Sequence, residues 1–460
     1  MKLYNTLTAQ KEEFVPNETG KVKMYACGPT VYNYIHVGNA RPIIMFDVLR
    51  RYFEYRGYDV TFVQNFTDID DKIINRAAEL GITAAEVAEK FIAEYEIDAR
   101  DLGVREATFH PRATENIAEI IELIETLIGN GKAYESGGDV YFRTAAFPDY
   151  GKLSHQPLDA LLAGARVEQG ELKENPMDFA LWKSAKPGEP QWASPWGQGR
   201  PGWHIECSAM SRRYLGETID IHAGGADLAF PHHENEIAQS EGASGKTFVN
   251  YWLHNGFISI DNKKMSKSLG NFFTVREAAA AYGYENIRMF MLMSHYRSPL
   301  NYSGDILVSA KAALERIKTA RENLVFTAAN GKDGDAPVID LGAYRARFIE
   351  AMDDDFNTAD AVSVIFDLVR AANSAVTENP NKTLAADILT VFDELVGILG
   401  LIYGETQSDP DAAKIDALVA ERGEARAAKN WARSDEIRDE LKAMGVVVED
   451  TPQGAKWKRV

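Results

Sequence analysis

The sequence predicts an α/β protein: a parallel, doubly wound sheet interrupted by an insertion, with a helical half behind it. Three observations point there. Strand-like and helix-like patterns alternate through the first part of the chain, which favours parallel strands joined by crossover helices. The alternation lapses from roughly Leu127 to Gln198 and then resumes. From about Ile306 onward nearly every segment has helical spacing, and a length of 460 residues leaves room for roughly two to four domains.

The elements follow in order. "KVKMYACG" alternates polar and apolar residues and reads as a strand, which "GPT" ends. "RPIIMFDVLRRYFEYRG" then spaces its apolar residues as a helix from about Arg41, stopping at Gly57. The helix N-terminus of such a strand–loop–helix unit suits a phosphate-bearing ligand. "YDVTFVQNFT" reads as the next strand. "NFTDIDDK" opens a helix, with Thr67 or Asp68 as its cap and acids in the first turn offsetting the macrodipole. "TENIAEIIELIETLIGNG" is helical, "KAYESGGDVYFRTAAF" resembles a hairpin, and "PGEPQWASPWGQGRPG", Pro187 to Gly202, reads as an ordered loop. "WHIECSAMSRRYLG" and "IDIHAGGADLAFPHHENEIAQSEG" resume the alternation. The helical half ends at an acidic joint, "YGETQSDPDAAK", before a short C-terminal unit.

Composition narrows the class. The chain is 45% hydrophobic and 26% charged, with no apolar run long enough to span a bilayer. "MKLYNTLTAQKEEF" lacks the apolar core of a signal peptide, so a cytoplasmic location is expected. Two cysteines, Cys27 and Cys207, make no disulfide framework; a thiol in a reducing compartment is catalytic, metal-binding or simply buried. A net charge of −18 argues against a general coat of positive charge for nucleic acid, leaving only local basic patches.

Two motifs carry chemistry on residue type and spacing. In "HHENEIAQ", His232 and Glu236 are four apart and share a helix face, and His233 lies three before Glu236. Spacing leaves both histidines open, and a charged helix start is the plainer reading. If Cys27 and Cys207 converge there, a Cys₂-His-Glu set suits tetrahedral Zn²⁺. "KKMSKSLGN" places Lys264 and Lys267 on a basic loop, for which a solvated lysine cluster is the plainer reading; KMSKS also matches a known ATP-handling motif, whose ammonium groups would neutralise charge developing on a departing pyrophosphate.

These segments carry a resemblance. "IHVGNARP" resembles the HIGH signature of class I aminoacyl-tRNA synthetases, and "KMSKS", Lys264 to Ser268, matches their second signature. "YACGPTVY", "TDIDDK", "RPGWHIECSAM", "FPHHENEIAQ", "MSKSLGNFFT" and "DTPQGAKWKR" run in order along the chain and resemble the cysteinyl-tRNA synthetase family, of bacterial type by size. One position departs: the second histidine of HIGH is Asn39, which keeps a hydrogen-bond donor and loses a titratable ring.

The resemblance implies a Rossmann-type class I catalytic domain in two halves, 1–126 and 199–250, around an inserted connective region, 127–198. It further implies a KMSKS-bearing connector, 251–305, a helical bundle, 306–403, and an anticodon-binding domain, 412–460. It implies ATP-dependent ligation of L-cysteine to its tRNA through cysteinyl-adenylate, with one Zn²⁺ per chain, Mg·ATP as substrate, no membrane partner and a monomeric state. Cys27, Cys207, His232 and Glu236 would hold the zinc, which takes up the substrate thiolate. His36, Asn39, Lys264 and Lys267 would surround the phosphates. Thr67, Trp203 and His222 would line the cysteine pocket, Gly28, Thr30 and Lys267 would bind substrate or cofactor, and Gly225 and Asp227 would meet the adenosine ribose. Arg426, Trp431, Asp435 and Asp450 would contact the anticodon, Trp431 by stacking. Two other functions remain: a cysteine ligase acting on an amino-sugar, against which the long C-terminal half argues, and a non-catalytic tRNA-binding paralogue, which would be expected to lose motif lysines or zinc ligands.

Overall fold

The computed structural model describes residues 1–155, 172–260, 263–264, 273–335, 338–403, 411–451 and 454–459. It divides into two compact units: one of residues 1–311, 350–360 and 398–400, the other of 312–349, 361–397 and 401–460.

The first unit is built on four parallel strands, in the spatial order Val249–Asn255, Ile219–Gly225, Lys21–Ala26, Asp59–Gln64. The chain lays down Lys21–Ala26 first, adds Asp59–Gln64 on one side and later Ile219–Gly225 on the other. That reversal opens a crevice past the carboxyl ends of Lys21–Ala26 and Ile219–Gly225, where sheets of this kind bind ligands. Ile219–Gly225 is buried at every residue but its last, as expected for a parallel strand covered on both faces.

The helix Val37–Tyr55 links the first two of these strands. It begins earlier than the expected start near Arg41, and Pro42 lies inside it. The Val37 N–H is satisfied by the Phe273 carbonyl (3.1 Å) and the His36 N–H by Asn39 Oδ1 (3.1 Å), which holds the first turn. The helix Asp71–Leu80 is capped by Asp70, whose side chain accepts from the Lys72 N–H, and not by Thr67 or Asp68. Asp68 instead accepts from the Thr114 N–H (3.0 Å) and hydroxyl (2.5 Å).

An antiparallel five-stranded sheet is inserted between the halves of the parallel one. Its first two strands, Ala133–Ser136 and Asp139–Phe142, form the expected hairpin, turned by Gly137 and Gly138 at φ 67° and 88°. The stretch expected as a loop after Pro187 contains a second hairpin, Trp192–Ser194 with Gly197–Pro201. Proline and glycine disguise it, because both read as strand breakers even where, as here, they end or edge a sheet.

Within the helix Val37–Tyr55, Asp47 is 1% exposed and accepts from Arg51 Nε (2.9 Å), Arg288 Nη2 (2.7 Å) and the Arg105 N–H (3.1 Å). Burial opposes its ionisation, but the Arg288 and Arg51 guanidiniums hold the carboxyl below the usual range.

The second unit is mostly helical and ends in the helices Ala412–Ala427 and Trp431–Ala443 and the hairpin Val446–Thr451 with Gly454–Arg459. Ile415, Leu418, Val419, Ile437, Leu441 and Val446 form a small core there.

Candidate metal centre and substrate pocket

Cys27 follows directly on the strand Lys21–Ala26, held by its N–H to the Ala223 carbonyl (3.2 Å). Cys207 lies in the helix Trp203–Leu215, His232 in the irregular turn before the helix Glu234–Ser244, and Glu236 in that helix's first turn. The fold brings all four to the carboxyl-end crevice, with Cys207, His232 and Glu236 buried.

Their spacing tests whether zinc fits. With bonds of about 2.3 Å to S and about 2.1 Å to N or O, a tetrahedral Zn²⁺ sets S···S at about 3.8 Å, S···O at about 3.6 Å and N···O at about 3.4 Å. The corresponding separations are 3.8 Å for Cys27–Cys207, 3.5 Å for Cys27–Glu236 Oε1 and 3.1 Å for His232 Nε2–Glu236 Oε1. The donors fit. A second set, Cys27, His222, His233 and Glu236, shares two members. It fits less well, since His233 Nε2 stands 4.0 Å from Glu236 Oε1 and only one soft thiolate is present.

The electrostatics match a cation site. Burial and the neighbouring Cys207 push the Cys27 thiol up, while the bond from Cys27 draws Cys207 down to about 6. Burial works against charge on Glu236 and His232 alike, yet His222 and His232 lower Glu236 to about 2, and Glu236 and Cys207 raise His232 to about 10. Two buried anions thus lean on one imidazolium proton, which a divalent ion would displace. His204 Nδ1 lies 2.9 Å from His232 Nδ1, which leaves Nε2 facing the other donors.

The expected pocket residues gather around this cluster. His222 Nε2 is 3.7 Å from Cys27 Sγ and 3.3 Å from Glu236 Oε1. Trp203, 39% exposed, stacks on the His232 ring at 4.3 Å. The Gly28 N–H donates to Asn65 Oδ1 (2.9 Å), and a Cβ on Gly28 would lie 1.6 Å from the Asn65 carbonyl oxygen, so no side chain fits. Thr30 and Thr67 pair through a backbone bridge, and the Thr67 hydroxyl donates to Glu206 Oε2 (3.0 Å). Gly225 ends its strand, and Asp227 lies in the single turn Ala226–Leu228 that follows.

The phosphate residues divide. His36 caps the helix Val37–Tyr55, and Asn39 Oδ1 binds its N–H, so Asn39 braces the turn. His36 also pairs with Thr274 across an antiparallel bridge, which fastens the turn to the chain just beyond the lysine motif. Lys264 belongs by its backbone to the strand Lys263–Lys264, beside Ile258–Ile260; Lys267 lies outside the described residues.

In the second unit, Trp431 starts its helix and is 57% exposed. Asp450 binds Arg422 through both oxygens (2.6 and 3.0 Å) and lies 3.6 Å from Arg426, while Asp435 pairs with Arg438 at 3.0 Å.

Several neighbours escaped the sequence reading: His204, His254, Asn65, Glu206 and Arg422. His233 Nδ1 lies 2.8 Å from His254 Nε2, and His254 Nδ1 lies 2.8 Å from Thr6 Oγ1. Histidine scarcity was the available signal. The chain has nine, and His204, His222, His232, His233 and His254 all fall within some fifty positions of sequence.

The chain matches the family model for the tRNA synthetases class I (C) catalytic domain over residues 13–312, the DALR domain over 347–403 and the cysteinyl-tRNA ligase anticodon binding domain over 411–457. It is 58% identical to a cysteine–tRNA ligase of Clostridioides difficile and 57% identical to one of Caldicellulosiruptor saccharolyticus, each over 100% of both chains. Among solved structures it resembles a Mycobacterium tuberculosis methionyl-tRNA synthetase in complex with methionyl-adenylate, with a TM-score of 0.62 at 17% identity, covering 87% of this chain and 94% of that one. It also resembles the ternary LeuRS–tRNA–LeuAMS complex of Agrobacterium radiobacter, with a TM-score of 0.63 at 11% identity, covering 84% and 85%.

Proposed function

The chain belongs to the cysteine–tRNA ligases, class I synthetases that attach the amino acid to tRNA at the expense of ATP, and on that premise we propose how its own residues do so. Cys27, Cys207, His232 and Glu236 hold one Zn²⁺. When bound, the metal supplies a soft Lewis acid that favours the substrate's thiolate over the hydroxyl of serine. The one observation that carries this reading is that three separations among the four donors, Cys27–Cys207, Cys27–Glu236 and His232–Glu236, lie near tetrahedral edges, in the crevice beside the strand–loop–helix turn.

The chain's side chains bind and orient. His222 and Trp203 wall the pocket around the thiol end, and Thr67 faces the amino end. Gly28, packed against the Asn65 backbone where no side chain would fit, and Thr30, bridged to Thr67, present their segment to the substrate. His36, in a turn braced by Asn39, faces the phosphates of Mg·ATP, and Gly225 and Asp227 meet the ribose. The cysteine carboxylate attacks the α-phosphorus, and Lys264 and Lys267 offset charge on the departing pyrophosphate. No side chain acts as a nucleophile; positioning and charge stabilisation carry the step. The terminal ribose hydroxyl of tRNA then takes the cysteinyl group. Arg426, Trp431, Asp435 and Asp450 read the anticodon, with Arg422 holding Asp450 in place.

The protein is proposed to work as a cytoplasmic monomer, in keeping with two thiols that form no disulfide; among the described residues no helix is long and apolar enough to cross a membrane. The test is charging of purified tRNA with cysteine, alongside cysteine-dependent exchange of pyrophosphate into ATP. Exchange without charging would point to another acceptor for the cysteinyl group.

A further inference from the structure

Arg41 lies one turn into the helix Val37–Tyr55 and is 0% exposed. No carboxylate pairs with it among the described residues; four backbone carbonyls hold its guanidinium instead. Nη1 donates to Gly256 (2.8 Å) and Phe257 (3.2 Å), and Nη2 to Ser298 (2.7 Å) and His295 (3.1 Å). Nε is buried with no hydrogen-bond partner. Burial draws the group down to about 10, so it remains charged near neutral pH. A buried charge without a counter-charge is costly, which makes it worth asking what its four bonds hold together.

The carbonyls belong to two segments. Gly256 and Phe257 lead into the strand Ile258–Ile260, while His295 and Ser298 precede Leu300–Tyr302, which pairs with it in parallel. Each arm of the guanidinium takes one segment, a planar fork that a single ammonium cannot reproduce. The segments touch at this point: a Cβ on Gly256 would lie 2.6 Å from the Arg297 and Ser298 carbonyl oxygens. The other edge of Ile258–Ile260 pairs with Lys263–Lys264, placing Lys264 opposite Ser259. Ser259 follows Phe257 at about 7 Å along the strand, so a shift of Phe257 carries Lys264 with it. Beyond the lysine motif, backbone bonds fasten the chain to the start of the same helix, from the Val37 N–H to the Phe273 carbonyl (3.1 Å) and from the Val275 N–H to the Ile35 carbonyl (2.9 Å). Ahead of the motif, Arg41 makes the corresponding tie.

We propose that Arg41 is a positioning residue for adenylate formation: its two-armed hold on the strand starts sets where the strand bearing Lys264 stands relative to His36, and so whether that lysine meets the charge on the departing pyrophosphate. This rests on the synthetase reading above, and it assigns the alignment of two separate motifs to one buried side chain.

The experiment measures single-turnover adenylate formation by the full chain, with equilibrium binding of cysteine and zinc content alongside. Arg41→Lys keeps the charge and loses the fork. It should slow adenylate formation by about 30- to 100-fold, with cysteine affinity and zinc content within about twofold of the unaltered chain. Gly256→Ala leaves Arg41 intact but wedges the same two segments apart, and should show the same pattern; it decides the case in which Arg41→Lys does not fold. A residue that acts through another loses its effect once the other is gone. With Lys264→Ala already in place, either change should therefore cost about threefold or less. Full slowing in that background would overturn the proposal, as would an equal fall in cysteine affinity, which marks a packing role, or unchanged adenylate formation in both variants. Absence of cysteine-dependent pyrophosphate exchange in the unaltered chain is a different result, and would overturn the synthetase reading underneath.

Discussion

The sulfurs of Cys27 and Cys207 lie 3.8 Å apart although 180 positions separate the two residues in the chain. One directly follows a strand and the other rides a helix that begins beyond the inserted sheet, so the pair exists only because the two halves of the parallel sheet close on each other. Metal analysis of the purified protein should find about one zinc per chain. Cys207→Ala should lower zinc content and cysteine affinity together. Retention of full zinc would remove Cys207 from the ligand set and favour the alternative donors His222 and His233.

The lysine motif should act late in the reaction. Lys267→Ala is expected to depress adenylate formation far more than cysteine binding, because the charge it meets appears only as pyrophosphate departs. Rapid-quench measurement of adenylate, set beside equilibrium binding of cysteine, separates the two. A change confined to cysteine affinity would give the lysine another role.

Gly28 admits no side chain. In Gly28→Ala the new methyl would meet the Asn65 carbonyl at 1.6 Å, a backbone atom that cannot swing aside. Overpacking of this kind costs about 1–3 kcal/mol, and here it pushes apart the segments bearing Cys27 and Thr67. Chemical denaturation should show the loss of stability, with cysteine affinity falling in parallel. A variant of normal stability and normal affinity would contradict the close approach.

The buried Asp47 cluster gives the first unit a stability that depends on acid. The carboxyl titrates lower when folded than when unfolded, so its contribution is complete above the unfolded value of about 4 and fades as pH falls through the lower, folded value. Asp47→Asn leaves Arg288 buried without its counter-charge and should cost about 3–5 kcal/mol near neutral pH. In thermal melts, the gap between the two proteins should narrow as pH drops below about 4. A constant gap across that range would show that Asp47 acts by packing alone.

Trp431 should matter to tRNA and not to adenylate. Trp431→Ala is expected to weaken charging by the loss of one base stack, about 1–3 kcal/mol, with pyrophosphate exchange unchanged. An equal fall in both assays would place the tryptophan in the fold of its unit and not in recognition.

Much of this was legible in the sequence, and for identifiable reasons. The strand ending at Ala26 and the helix ending before Gly57 announce themselves through short-range periodicity and a left-handed glycine, at φ 86°. His232 and Glu236 are four apart on a helix start, so local geometry alone makes them neighbours. The hairpin Trp192–Ser194 with Gly197–Pro201 was hidden, since sheet pairing is decided by partners and its own residues read as breakers. The cap of the helix Asp71–Leu80 was misplaced for a related reason. Three acids in a row of five residues are equivalent candidates, and Asp68 is drawn off by Thr114, which lies 46 positions away.

Periodicity and turn chemistry follow from interactions within a few residues and were enough to set the fold class; the order of the motifs set the family and, through it, the expected site residues. The choice between the two donor sets, the pairing of His36 with Thr274 and the bond from Thr67 to Glu206 depend on distances between segments far apart in the chain. Such distances are fixed only when the sheet closes and buries these groups together. Burial then gives Cys207, His232 and Glu236 their charge states, because a carboxylate or thiol in water has no cause to shift until solvent is gone and its partners are near.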